Sequence, residues 1–115
     1  MIRIVCARVV ATNVARQIAH MEQVNIRIGQ VVFDHADYDA KNDVLYLHVG
    51  EPQEAKGEET PEGHVLRFEP GTQRIVGLTV LGTLAILNRD GELRITIPEL
   101  VKVNAGDLAP ALAAA

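Results

Sequence analysis

Apolar and polar positions alternate with a period of two along much of this chain, and the breaks in that period divide it into short strands. Val24, Ile26 and Ile28 alternate with Asn25 and Arg27, which predicts a short strand ended by Gly29. Val31-Val32-Phe33 opens a second strand running to about Tyr38. Asp39 to Asp43 carries turn chemistry, because Asp and Asn side chains bond nearby backbone groups and tolerate left-handed conformations. Val44 to Val49 is the return strand. With Tyr38 paired to Val44, Asp34 falls opposite His48. Gly50 to Gly63 holds Pro52, Gly57, Pro61 and six Glu or Lys residues, and it reads as a loop. A loop of that length in a compact domain is usually functional or mobile. Val65 to Phe68 is a strand, Pro70-Gly71 turns the chain, and Arg74 to Leu81 comes back.

Charge sets the register of that hairpin. A two-residue Pro-Gly loop would face Arg67 with Arg74, a destabilising like pair, whereas a loop over Pro70 to Gln73 puts Glu69 opposite Arg74 and Phe68 opposite Ile75. Asp90-Gly91 is a type I′ turn signal. A two-residue loop there pairs Arg89 with Glu92, Ile86 with Ile95 and Leu84 with Ile97, and Pro98 stops the strand. Gly77 inside a strand suggests a bulge or a close backbone approach. Asp107 precedes Leu108, Pro110 and Leu112, which predicts a short helix over 107–113 with Asp107 as N-cap.

The period changes near the start. Val10, Val14, Ile18 and Met21 are spaced by four, four and three, with Arg8, Thr12, Arg16 and His20 on another face, an amphipathic helix pattern over 7–22. The alternative is a native start at Met21, with the preceding residues an extension of no structural role. The expected fold is mainly β: an antiparallel meander of hairpins with a short C-terminal helix and an N-terminal helix left open. Residues 1–30 form an N-terminal extension, and 31–115 a single β-rich domain.

At 115 residues there is room for one domain and one modest core. Aromatics make up only 3%, so the core rests on branched aliphatics. A thin core and open sheet edges predict a homodimer, since open edges must be paired, covered or charged. Cys6 stands alone, which suits a reducing cytoplasm. The start has no signal-peptide pattern, and no apolar run is long enough to span a bilayer. The net charge of -4 is unevenly spread: residues 1–33 hold four Arg against Glu22, whereas residues 34–69 hold ten acids against Lys41, Lys56 and Arg67. The acidic block argues against nucleic-acid binding there and would attract a basic partner, although it also serves as a plain solvated surface.

Candidate chemistry is sparse. Asp34, His35 and His48 form one acid-histidine group, able in principle to bind a divalent metal or move a proton. Asp34 and His35 point to opposite strand faces, however, and no zinc-type spacing or calcium loop completes a set. Glu58, Glu59, Glu62 and His64 form a second group. Paired carboxylates can act as acid and base, dock a basic partner, or simply keep a loop in water. The chain contains no serine, so a Ser-His-Asp triad is excluded. No glycine pattern forms a phosphate cradle. No catalytic, cofactor or metal residue is assigned.

Tyr38-Asp39, Asp43-Val44-Leu45-Tyr46-Leu47, Gly50-Glu51-Pro52, Glu58-Glu59-Thr60-Pro61-Glu62-Gly63-His64-Val65 and Arg74-Ile75-Val76-Gly77-Leu78-Thr79-Val80-Leu81 resemble a bacterial family named only as domain of unknown function 2283. The resemblance covers about 32–81. It implies a small β-rich fold without established activity and, because some members look like partners of small toxin-like proteins, an antitoxin-like role. The expected function is a non-enzymatic β-sheet module binding a protein partner through an acidic surface. The alternative is a small metal-dependent or acid–base hydrolase built on Asp34, His35 and His48 or on the Glu58 to His64 loop.

Overall fold

The computed structural model describes residues 22–51 and 53–113. Cys6, the start at Met21 and all of the helix expected over 7–22 except Glu22 lie outside the described residues. Glu22 opens a strand rather than ending a helix. The elements are β1 (Glu22–Ile28), β2 (Val31–Asp39), β3 (Val44–His48), β4 (Lys56–Glu59), β5 (Val65–Phe68), β6 (Ile75–Leu81), α1 (Thr83–Asp90), β7 (Leu93–Thr96), β8 (Leu100–Val103) and α2 (Ala105–Ala113). Six strands form one antiparallel sheet in the order β1-β2-β3-β6-β5-β4, and β7 and β8 form a separate hairpin. The class is mainly β, as the period-two pattern predicts. Among the described residues no helix is long and apolar enough to cross a membrane.

Cross-strand rows build the core. Ala36 pairs with Leu47, Leu47 with Leu78, and Leu78 with Leu66; Tyr38 pairs with Leu45, and Leu45 with Val80. These side chains share one sheet face and are buried. Leu87 of α1, Leu93 and Ile95 of β7, Val103 of β8, and Leu108 and Ala111 of α2 close over that face in one continuous cluster. The result is two layers around one core.

Phe68 faces Ile75, and Glu69 N–H donates to the Arg74 carbonyl at 2.9 Å, so the charge argument finds the register of that hairpin. The β2–β3 register differs by one residue. Tyr38 faces Leu45, and His48 faces His35 rather than Asp34. A one-residue slip turns every side chain to the other face. Only the observed pairing sets Ala36 and Tyr38 beside Leu47 and Leu45.

The expected loop over 50–63 contains a strand. β4 pairs with β5 through Lys56–Phe68, Gly57–Arg67, Glu58–Leu66 and Glu59–Val65. Its side chains carry no apolar alternation, so only the backbone ladder reveals it. Because β4 lies at the far edge while β3 is central, the connecting residues cross two intervening strands, a span of about 14 Å. Part of the loop's length is therefore spent in crossing the sheet.

The Asp90-Gly91 hairpin does not form. Residues 83–90 are helical, and Gly91, at φ 77°, is the C-cap, its N–H donating to the Leu87 carbonyl at 2.8 Å. The positive φ is present but closes a helix instead of a turn. The expected partners separate accordingly: Ile95 faces Val101, and Arg89 pairs with its neighbour Asp90. Pro98 does end β7, but the chain returns at once as β8, a strand absent from the expected pattern. At α2 the cap is Asn104 rather than Asp107. Asn104 Oδ1 accepts the Asp107 N–H at 2.9 Å, and Asp107 Oδ2 accepts the Asn104 N–H at 3.1 Å. This reciprocal pair satisfies two donors at the helix start.

Candidate functional site

The four residues expected to bind a partner are divided by the tight turn between β4 and β5. Thr60 holds that turn: its N–H donates to the His64 carbonyl at 2.7 Å, and its hydroxyl oxygen accepts the His64 N–H at 3.1 Å. Glu62 and His64 turn inward. Glu62 accepts the Thr96 N–H at 2.9 Å and the Thr96 hydroxyl at 2.8 Å, so it clasps the β7–β8 hairpin to the sheet. Burial opposes charge on Glu62, but the two bonds from Thr96 outweigh it and hold the carboxyl below its ordinary range. His64 is only 2% exposed, and its Nδ1 accepts the Leu81 N–H at 3.2 Å. That bond places the ring proton on Nε2. Burial lowers the His64 pKa against the opposing charge of Glu62, so the ring is neutral at pH 7. With Arg89 and Arg94, these residues line a cleft of about 430 Å³ in which Asp90 and Glu92 already balance both arginines.

Glu58 and Glu59 stay outside. Both are exposed on β4, the last strand of the sheet. They border a smaller groove of about 240 Å³ whose walls are Pro61, Leu66, Phe68, Thr96 and Pro98. Glu58 shares a sheet face with Leu66, its register partner, and both line the groove.

Asp34 and His35 meet although their strand positions face opposite ways. Asp34 Oδ1 lies 2.7 Å from His35 Nδ1 and accepts the Gly50 N–H at 2.8 Å. Burial opposes charge on Asp34, but these two bonds prevail and its pKa is lowered. His48, 3% exposed, has Nδ1 at 3.2 Å from the Gly50 carbonyl, which makes Nδ1 the donor. Its Nε2 is buried without a hydrogen-bond partner. Burial, only partly offset by that carbonyl, lowers the His48 pKa and keeps the ring neutral. The group can hold and orient a proton at His35. Yet among the described residues no three His, Cys, Asp or Glu are placed to hold a metal ion, and neither cleft above includes Asp34, His35 or His48.

Two structural centres escape pattern reading. Asp43, at φ 56°, receives the Tyr38 hydroxyl at 2.6 Å and the backbone N–H groups of Leu84 and Ala85 at 2.8 and 3.0 Å. It caps α1 from the distant β2–β3 turn. Burial, then the bond to Asp43, raises Tyr38 to about 12. Arg67 is 8% exposed and reaches across Gly77, so that its guanidinium carbon stands 5.9 Å from the Tyr46 ring centre. The glycine in mid-strand was the one signal for that approach.

Searches for related proteins return nothing that matches this chain: no family model, no curated protein and no solved structure.

Proposed function

We propose that the protein is a non-enzymatic interaction module that docks a basic protein segment along its β4 edge. One observation carries this reading. Glu51, Glu54, Glu58 and Glu59 are exposed and enter no ion pair among the described residues, whereas Asp34 is hydrogen-bonded to His35 and Gly50, while Glu69, Asp90 and Glu92 are each ion-paired and Glu62 is bound to Thr96. Glu58 and Glu59 outnumber Lys56 on β4, and Glu51 and Glu54 lie on the crossing that leads to it, so this side of the sheet carries net negative charge that attracts an oppositely charged segment and speeds its approach. The family resemblance supports the same reading, because it implies small toxin-like partners, and the lone cysteine supports a cytoplasmic setting.

The test is capture of partners from the native host by wild type and by Glu58→Gln/Glu59→Gln. Glu62 is excluded from the variant because it holds the fold together. Partner recovery in the variant should fall and should fail at lower salt. Recovery of the same partners at the same salt tolerance would remove the proposal. Self-association belongs to this reading, with β1 at the opposite edge as the contact for a second copy. Light scattering should give the dimer mass at high micromolar concentration, and a monomer there contradicts it.

The contact between Asp34 and His35 favours a second reading, acid–base hydrolysis with His35 as base and Asp34 as its orienting carboxylate. Turnover of any substrate that is lost in His35→Ala would establish it.

A further inference from the structure

The groove beside β4 has the chemistry to read one particular kind of side chain. Its volume, about 240 Å³, is below the range of about 300–1,000 Å³ usual for small-molecule sites. Leu66, Phe68, Pro61 and Pro98 give it an apolar lining. Both of its charged lining residues, Glu58 and Glu59, are acidic and without ion pairs among the described residues. Lys56 sits one pleat away on the same face of β4 as Glu58 and does not line the groove. A mainly apolar groove that also carries two carboxylates suits a side chain that is apolar along its stem and cationic at its tip.

The strand beside it supplies a second, independent constraint. Among the described residues β4 pairs only with β5, so its other backbone edge is available for an added strand. Charged side chains on an edge ordinarily prevent strand addition. Here the charge is selective. Glu58 and Glu59 outnumber Lys56 along β4, so a basic strand would be drawn in. We infer that the partner segment pairs with β4 in an extended conformation and inserts a lysine or arginine side chain into this groove. Its stem would lie against Phe68 and Leu66 and its head toward Glu58, the carboxylate on that face, with Glu59 beside it adding to the negative field. Backbone pairing supplies affinity, and the pocket supplies choice of residue, as in other cases of strand addition.

This inference rests on the docking reading above and is tested separately from it. The probes are a short peptide of alternating lysine and valine and the same peptide with glutamine for lysine, each titrated into the full-length protein and followed by amide chemical shifts. The lysine peptide should shift β4, Leu66, Phe68 and Thr96, and the glutamine peptide should not. Glu58→Gln/Glu59→Gln should weaken the lysine peptide about three- to tenfold, the range expected for two exposed ion pairs. Phe68→Ala, checked for retained fold by its remaining amide shifts, should weaken it too. If the lysine peptide binds and depends on Glu58 and Glu59, while Leu66, Phe68 and Thr96 do not shift, the docking surface stands and the groove inference fails. Absence of binding, or equal binding of both peptides, also overturns the groove inference. The fate of the docking reading is then decided by the capture experiment alone.

Discussion

Single residues carry more of this fold than their chemistry suggests. A Cβ added to Gly77 would lie 3.3 Å from Arg67 Cδ and 3.3 Å from the Leu47 carbonyl oxygen. The arginine can move, but the strand backbone cannot without breaking its ladder. Gly77→Ala should therefore destabilise by about 1–3 kcal/mol, the usual cost of overpacking, measured as a lower denaturation midpoint at unchanged slope. The buried histidines make a second residue-scale prediction. His48 and His64 both have folded pKa values below the ordinary 6.5, so between those values the unfolded chain binds more protons than the folded one. Stability should be flat above about pH 7 and fall as the pH drops through 6.5. Asp34, Asp43 and Glu62, with lowered pKa values, lose their contribution only below their ordinary 3.8, 3.8 and 4.5. Thermal melts between pH 7.5 and 5.5 isolate the histidines, and a melting temperature independent of pH across that window would contradict their neutral, buried state.

At the scale of elements, strands with apolar alternation were legible and elements built by distant partners were not. Val24 to Ile28, Val65 to Phe68 and the Glu69–Arg74 register follow from side-chain pattern and charge. β4 has the side chains of a loop and becomes a strand because β5 offers it a ladder. α1 departs from its local pattern for the converse reason: Asp90-Gly91 is a strong local turn signal, but a carboxylate more than forty residues upstream supplies the helix cap, and Gly91 then serves as the helix stop. Asp43→Ala should cost about 1–2 kcal/mol, the upper range for a lost cap, with reduced far-ultraviolet helical signal and increased proteolysis near residues 82–91. Gly91→Val should also destabilise by about 1–3 kcal/mol through its positive φ, with the loss in helix rather than in the β7–β8 pairing. Loss of β7–β8 amide protection with α1 intact would mean that the glycine serves a hairpin after all.

At the scale of the whole molecule, the acidic block proves to be two populations of carboxylate. One part is structural: Glu62 clasps the hairpin to the sheet, Asp43 caps α1, and Asp34 ties His35 to Gly50. The other part, Glu51 to Glu59, lies along the β3–β4 crossing and the β4 edge with no such task among the described residues. The sequence shows all of these acids alike, because the donors that occupy the first group come from Thr96, Leu84 and Gly50, and only the folded chain brings those donors to them. That division carries the functional reading, since Glu58 and Glu59 stand on the exposed β4 edge beside an apolar groove, and Glu51 and Glu54 on the crossing that leads to it. Amide hydrogen exchange of the protein with a captured partner tests it most directly. Protection should rise at β4 and at the Thr60 to Gly63 turn, and the rise should vanish in Glu58→Gln/Glu59→Gln. Protection gained instead along Asp34 to His48, with β4 unchanged, would contradict the account.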